Sequence, residues 1–238
     1  MNQKVIASFV CKSEDFTSNK KHINQETDFK NLEQAFHNVL LGQRIITLVE
    51  KAYGEIETVL SQVKHYVSSG LLPNLEDSQK PMLEVKISQS LKALDKIAQT
   101  STHKGQNLLN GNLSASVKNN SHFFLLVGSI SSSENRITLN TSLDIPSIST
   151  RSLGLEELSV GSKQDGLNGL MMLENALAII IQLKQRSSSL RSHLEKVNQY
   201  LSISIENHHA ANTAPYSCEQ AEELIRVATD FRNINDDY

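Results

Sequence analysis

The stretch LEQAFHNVLLGQRIITLVEKAYGEIETVLSQVKHYV, Leu32 to Val67, decides how the rest of the chain reads. Leu32, Ala35, Val39, Gly42, Ile46, Val49, Tyr53, Ile56, Leu60, Val63 and Val67 follow at intervals that alternate three and four. Sustained over about five heptads, with Glu, Gln, Lys and Ser at most other positions, this is a coiled-coil seam. At about 1.5 Å per residue the helix is roughly 54 Å long, too long for the core of a small globule. It requires a partner of similar length to cover its apolar edge.

That partner lies far down the chain. Leu173, Ala176, Ile180, Leu183, Ser187, Leu190, Leu194, Val197, Leu201 and Ser204 repeat the alternation. They predict a helix over about 164–207, with Ser162 as N-cap and Asp165 favouring its start. Two seams matched in length and period predict a mainly α fold: an elongated antiparallel coiled-coil rod with a small β-hairpin region. The packing residues expected to carry it are Ile46, Val49, Tyr53, Ile56, Leu60 and Val63, facing Ile180, Leu183, Leu190, Leu194, Val197 and Leu201. At about 1.5–3 kcal/mol for each buried aliphatic, the seams hold the rod without a globular core.

The remaining segments arrange themselves around this pair. Residues 1–28 read as a polar, lysine-rich N-terminal tail without a sustained period. Residues 29–107 hold the N-terminal rod helices, the first running from about 28 to 68. Gly42 on its seam costs about 1 kcal/mol of helix propensity but lets a partner backbone come close. Gly70 reads as its C-cap and Pro73 as a stop. A second helix starts near Asp77 or Ser78, tolerates Pro81 in its first turn, and carries the stripe Leu83, Ile87, Leu91, Leu94 and Ala98. It folds back antiparallel and ends before a turn at Gly105.

Residues 108–160 read as a β-hairpin region and connection. Asn110-Gly111 and Asn119-Asn120 are turn dipeptides, and strands are expected over 113–117, 122–127 and 136–139. Residues 161–210 form the C-terminal rod helix. Residues 211–238 form a short terminal helix and tail, opened by a capping-box pattern at Ser217 and Gln220.

Composition narrows the function classes. Hydrophobic residues make up 39% of 238 and aromatics 5%, with no Trp, which favours a thin rod over a thick-cored globule. A net charge of −3 gives no global attraction to nucleic acid or anionic membrane. No apolar run reaches the roughly 18 residues of a transmembrane helix, and the start has no signal-peptide core, so secretion requires another route. Cys11 and Cys218 lie near opposite ends, without metal spacing, and read as isolated thiols rather than a bridge.

Motifs that suggest chemistry fall to simpler readings. His208-His209 lacks a third ligand and reads as a solvated helix end. Ser131–Ser133 and Ser187–Ser189 have no His/Asp partners, so they read as surface serines. The Gly161–Gly169 segment lacks a P-loop Lys and a preceding βαβ pattern. The glycosylation sequons at Asn112, Asn119 and Asn140 read as chance matches in a polar region, and Lys64 as a solvated side chain. No catalytic, cofactor-binding or metal-ligating residue is assigned, and no cofactor is expected.

The order helix, helix, β-hairpins, helix carries a family resemblance. Residues 32–70 resemble the first rod helix of bacterial flagellins. LDKIAQTSTHKGQNLLNGN (94–112) is similar to the flagellin segment in which Phe-Asn-Gly leads to Leu-Leu and Gly. Gly105, Leu108, Leu109 and Gly111 match it, while His103 and Lys104 stand where Phe and Asn occur. FFLLVGSISSSENRITLNTSLDI (123–145) resembles the flagellin hairpin, with Gly128 after one strand and Ile137 and Leu139 in the other. Leu153-Gly154-Leu155 followed by ALAIIIQLKQRSSSL resembles the start of the carboxy-terminal rod helix. The resemblance spans about residues 30–230.

It implies a structural, non-enzymatic subunit of a bacterial flagellar filament, exported unfolded without a cleaved signal peptide. The implied partners are other flagellin subunits or flagellar components and, as a further candidate, an export chaperone, with no nucleic acid and no membrane insertion. The implied location is extracellular, or cytoplasmic for an unexported chain. The chain departs from the pattern at both ends. The Arg-Leu-Ser-Ser-Gly-Leu-Arg start and the apolar Gln/Ala/Leu-rich last helix are not found, so a subunit shortened at both ends is expected. The small-residue signature of the last rod helix is replaced around Leu190, Arg191, Ser192 and His193, and cysteine is rare in the family. The alternative is a non-polymerising module that caps, regulates or attaches to a flagellar or secretion component. An unrelated parallel coiled-coil oligomer stands third.

Overall fold

The computed structural model describes residues 19–73, 75–118, 122–128, 135–212 and 226. In chain order its elements are α1 (Asn19–Gly70), a 3-10 turn (Asp77–Gln79), α2 (Lys80–Thr100), β1 (Thr102–His103), β2 (Gln106–Asn107), β3 (Phe124–Leu126), β4 (Arg136–Thr138), α3 (Leu139–Leu143) and α4 (Lys163–Asn212). Residues 1–18 and, apart from the helical Arg226, the expected terminal helix lie outside the described residues, as do Cys11 and Cys218.

The long helices α1 and α4 pair antiparallel along their seams. The Phe29 ring meets His208 and His209, at 4.9 and 4.8 Å between centroids, at one end of the pair. At the other end Gly166 of α4 abuts Leu71 just past α1. Helix α2 runs back along α1, with Lys86 Nζ 5.6 Å from the Tyr66 ring centroid. Its buried face is Ile87, Leu91, Leu94 and Ala98.

Several expected boundaries are corrected. The described part of helix α1 reaches back to Asn19, beyond the expected helix start near 28. Once nucleated, a helix gains one backbone bond per added residue and extends past its apolar stripe through Lys, Gln and Glu. The described part of α4 likewise extends to Asn212, past the expected end near 207. Gly70 has no left-handed backbone; a Cβ there would lie 3.0 Å from Val160, so close approach, not capping, explains it. Ser162 does cap α4 reciprocally. Its hydroxyl accepts from Asp165 N at 3.1 Å while its own N–H donates to Asp165 Oδ2 at 3.0 Å.

The β region differs most. Residues 113–117 form turns rather than a strand, and the strands shorten to 124–126 and 136–138, with Leu139 opening α3. An extra hairpin, β1–β2, pairs Thr102 with Asn107 and His103 with Gln106. Lys104 and Gly105 sit at φ 49° and 78°, the two positive angles of a type I′ turn. Asn107 then ties off α2, its Nδ2 donating to the carbonyls of Ala98 and Gln99 at 3.0 and 2.7 Å.

Polar anchors replace extended strands in the rest of the region. The Asn140 side chain is fully buried; it donates to the carbonyls of Asn112 and Ser114 and accepts from Phe123 N. Full pairing makes such a buried amide stabilising rather than costly. On α2, Asp95 Oδ1 accepts from Thr150 N at 2.7 Å and Glu84 Oε1 from Val160 N at 2.6 Å, fastening the connection that leads into α4. Gly154, at φ 70°, turns that connection between the buried Leu153 and Leu155.

Candidate functional site

The α1–α4 seam is the feature the sequence singled out. Ile46, Val49, Tyr53, Ile56, Leu60 and Val63 are fully buried, as are Ile180, Leu194 and Leu201. Leu183 and Leu190 are 4% and 6% exposed, and Val197 is partly buried against the same core. Ser187 occupies a seam position with its hydroxyl donating to Leu183 O at 3.1 Å, which keeps the polar atom satisfied within its own helix.

Gly42 is a notch in the seam. A Cβ there would stand 2.4 Å from Leu125 Cδ1 and 2.9 Å from Leu194 Cδ1. The expected close approach of a partner backbone is therefore corrected: a hairpin side chain and a seam side chain fill the space. Asn38 Nδ2 fixes the hairpin beside it, donating to Leu126 O at 3.0 Å.

Charged residues outside the seam set the helix register. Lys184 Nζ donates to Glu57 Oε2 at 2.5 Å, Lys64 Nζ to Glu174 Oε1 at 3.2 Å, and the Arg191 guanidinium grips Glu50. Glu50, Glu57 and Lys64 are spaced by heptads, where flanking charges select register and orientation. Lys64 is half-exposed, as a solvated side chain would be, and is also paired with Glu174. Arg191, at a departure from the family pattern, gains a role in the same set. The heptad spacing of Glu50, Glu57 and Lys64 was the sequence signal for these pairs.

Among the described residues, Tyr53 and Asp144 are electrostatically perturbed. Burial raises the Tyr53 phenol well above its usual range, against a smaller opposing effect of Arg186. Its hydroxyl has no hydrogen-bond partner among the described residues. The N–H of Ala115 holds the Asp144 carboxyl below its usual range, against partial desolvation and with help from Arg186, whose Nη1 lies 3.0 Å from Oδ2. Among the described residues no His, Cys, Asp and Glu side chains cluster as a metal-ligand group. The Phe29 ring lies tilted against His208 and edge-on to His209, while His209 stays exposed near the helix end.

Apolar side chains also face outward. Leu72, Met82, Val85, Leu167 and Met171 are all exposed. They share one end of the rod, where Lys80 Nζ donates to Gly161 O at 3.4 Å. Helix α4 contains an 18-residue window of mean hydropathy 1.4, a third of it buried inside the fold. Its apolar residues are divided between the buried seam and exposed positions along the helix, Leu167, Met171, Ile179 and Ile181 among them.

Two long antiparallel helices, tied by a back-folded helix and a docked hairpin, define a mainly α, rod-like fold. Residues 17–114 match the bacterial flagellin N-terminal helical region. The chain is 21% identical over 204 residues to the flagellar filament 30.7 kDa core protein of Treponema maltophilum, covering 82% of this chain and 70% of the relative. It is 19% identical over 203 residues to the 31.3 kDa core protein of the same organism, covering 84% and 71%. The fold is similar to the crystal structure of Bacillus cereus flagellin, with a TM-score of 0.56 at 15% identity, over 69% of this chain and 88% of that one. The chain is thus similar to bacterial flagellins in its N-terminal helical region and to flagellar filament core proteins over most of its length.

Proposed function

We propose that this chain is a non-enzymatic, flagellin-like subunit of a bacterial flagellar filament. The observation that carries the reading is the ordered antiparallel rod with its hairpin, in a chain similar over most of its length to filament core proteins. The exposed apolar residues at one end of the rod support it. An outward patch that meets a different surface on the next copy is a heterologous contact, which builds an open helical filament when its rotation does not close. The partners are other flagellin subunits, and the location is the extracellular filament.

Electron microscopy of the purified chain, alone and with flagellin seeds, tests the proposal. Filaments, or incorporation of this chain into growing seeds, are the expected result. A protein that stays monomeric in both conditions and does not copurify with flagella would overturn it. A stable complex with one flagellar component and no polymer would identify a binding module instead.

A further inference from the structure

A cleft of about 540 Å³ opens where β4, α3 and α4 meet, beside the seam residue Leu190. Arg136, Thr138, Ser142, Arg186, Ser189 and His193 line it, with Ile137 and Leu190 as its apolar floor, and no carboxylate is in the lining. These side chains converge by construction. On α4, Arg186, Ser189 and His193 follow at helical spacings of three and four, which places them on one face. Arg136 and Thr138 alternate along β4, so they too share a face.

The two guanidinium groups differ in how their charge is used. Arg186 is committed: its Nη1 donates to Asp144 Oδ2 at 3.0 Å, so its charge is largely matched within the fold. Arg136 has no ion-pair partner among the described residues. Its guanidinium lies over the Phe124 ring, 4.3 Å from the centroid, which orients the fork without neutralising it. A stacked arginine is pre-organised, so less side-chain freedom is lost when it binds an oxyanion. An unmatched guanidinium, an imidazole and several hydroxyls around one concavity form a donor set for a small, multiply charged oxyanion.

We propose that this cleft is an oxyanion-binding site for a phosphate-type dianion, held by Arg136 and His193 with hydroxyl donors from Thr138, Ser142 and Ser189. Arg186 positions the floor through Asp144. The class is set by the number of converging donors. A monocarboxylate uses two of them through one fork, whereas a tetrahedral dianion presents oxygens to both the β4 and the α4 side.

Titration of the full chain with inorganic phosphate, in a chloride buffer free of other oxyanions, tests the site by calorimetry and by histidine proton resonances. Saturable binding with a shift of the His193 signal is expected, with acetate at least tenfold weaker. Arg136→Gln and His193→Asn should each weaken phosphate at least tenfold, while Arg151→Gln, on the distant connection, leaves it unchanged. His193→Asn leaves the Arg136–Phe124 stack in place, so it reports on the site even if Arg136→Gln disturbs the hairpin. Absence of saturation, acetate binding equal to phosphate, or binding indifferent to both cleft variants would each overturn the proposal.

Discussion

Tyr53 shows most plainly how a single atom strains against its surroundings. The ring fills a fully buried seam position, but its hydroxyl has no hydrogen-bond partner among the described residues. A buried, unmade hydrogen bond costs about 1–3 kcal/mol, so Tyr53→Phe should stabilise the fold by about 1 kcal/mol in denaturant melts. The phenol's folded pKa lies above its unfolded value of about 10, so the neutral form is the one the fold protects. Below pH 10 that contribution is fully present. Above it the unfolded chain loses a proton the folded chain keeps, and stability falls by about 1.4 kcal/mol per pH unit. Tyr53→Phe should remove that alkaline loss. At Gly42, alanine gains about 1 kcal/mol of helix propensity but drives a methyl into Leu125 and Leu194; overpacking costs about 1–3 kcal/mol, so the net effect is destabilising. Shortening Leu125 to Val alongside it should recover part of the loss, which a double-mutant cycle measures. Lys104 holds a left-handed backbone where asparagine is better suited, and Lys104→Asn should raise the melting temperature through about 0.5–1 kcal/mol. The periodicity of Leu32–Val67 showed that Gly42 faced inward. It could not show that the occupant was a side chain from a hairpin more than eighty residues away, because no local pattern encodes such a contact.

Among the elements, the long helices were legible and the β region much less so. Heptads announce themselves through a period repeated many times, and the ends that were misplaced are where periodicity stops and propagation continues. Residues 113–117 alternate like a strand, yet their backbone groups are taken by Asn140 and Asp144, side chains whose role depends on a tertiary meeting. The β1–β2 hairpin was masked because Lys104 replaces the residue type that normally marks its turn. The charges flanking the seam make a further prediction at this scale. Exposed or half-exposed pairs contribute about 0.2–1 kcal/mol each, so Glu57→Lys should destabilise by about that amount, more at low salt. Combining it with Lys184→Glu should restore stability in urea titrations, because the pair is reversed rather than broken.

For the whole molecule, the rod places its two seam partners at opposite ends of the sequence, and this arrangement governs the route to the fold. Glu57 and Lys184, which touch across the seam, are 127 residues apart along the chain. Bringing such ends together costs about 4 kcal/mol of loop entropy before any contact is made. Helices α1 and α2 can meet early, through a short connection, but the face of α1 that receives α4 has nothing to cover it until residues beyond 163 exist. A chain growing from its N-terminus therefore carries a bare apolar stripe through most of its synthesis, and closes it last. The topology makes one long seam helix, α1, wait for its partner α4 to be made.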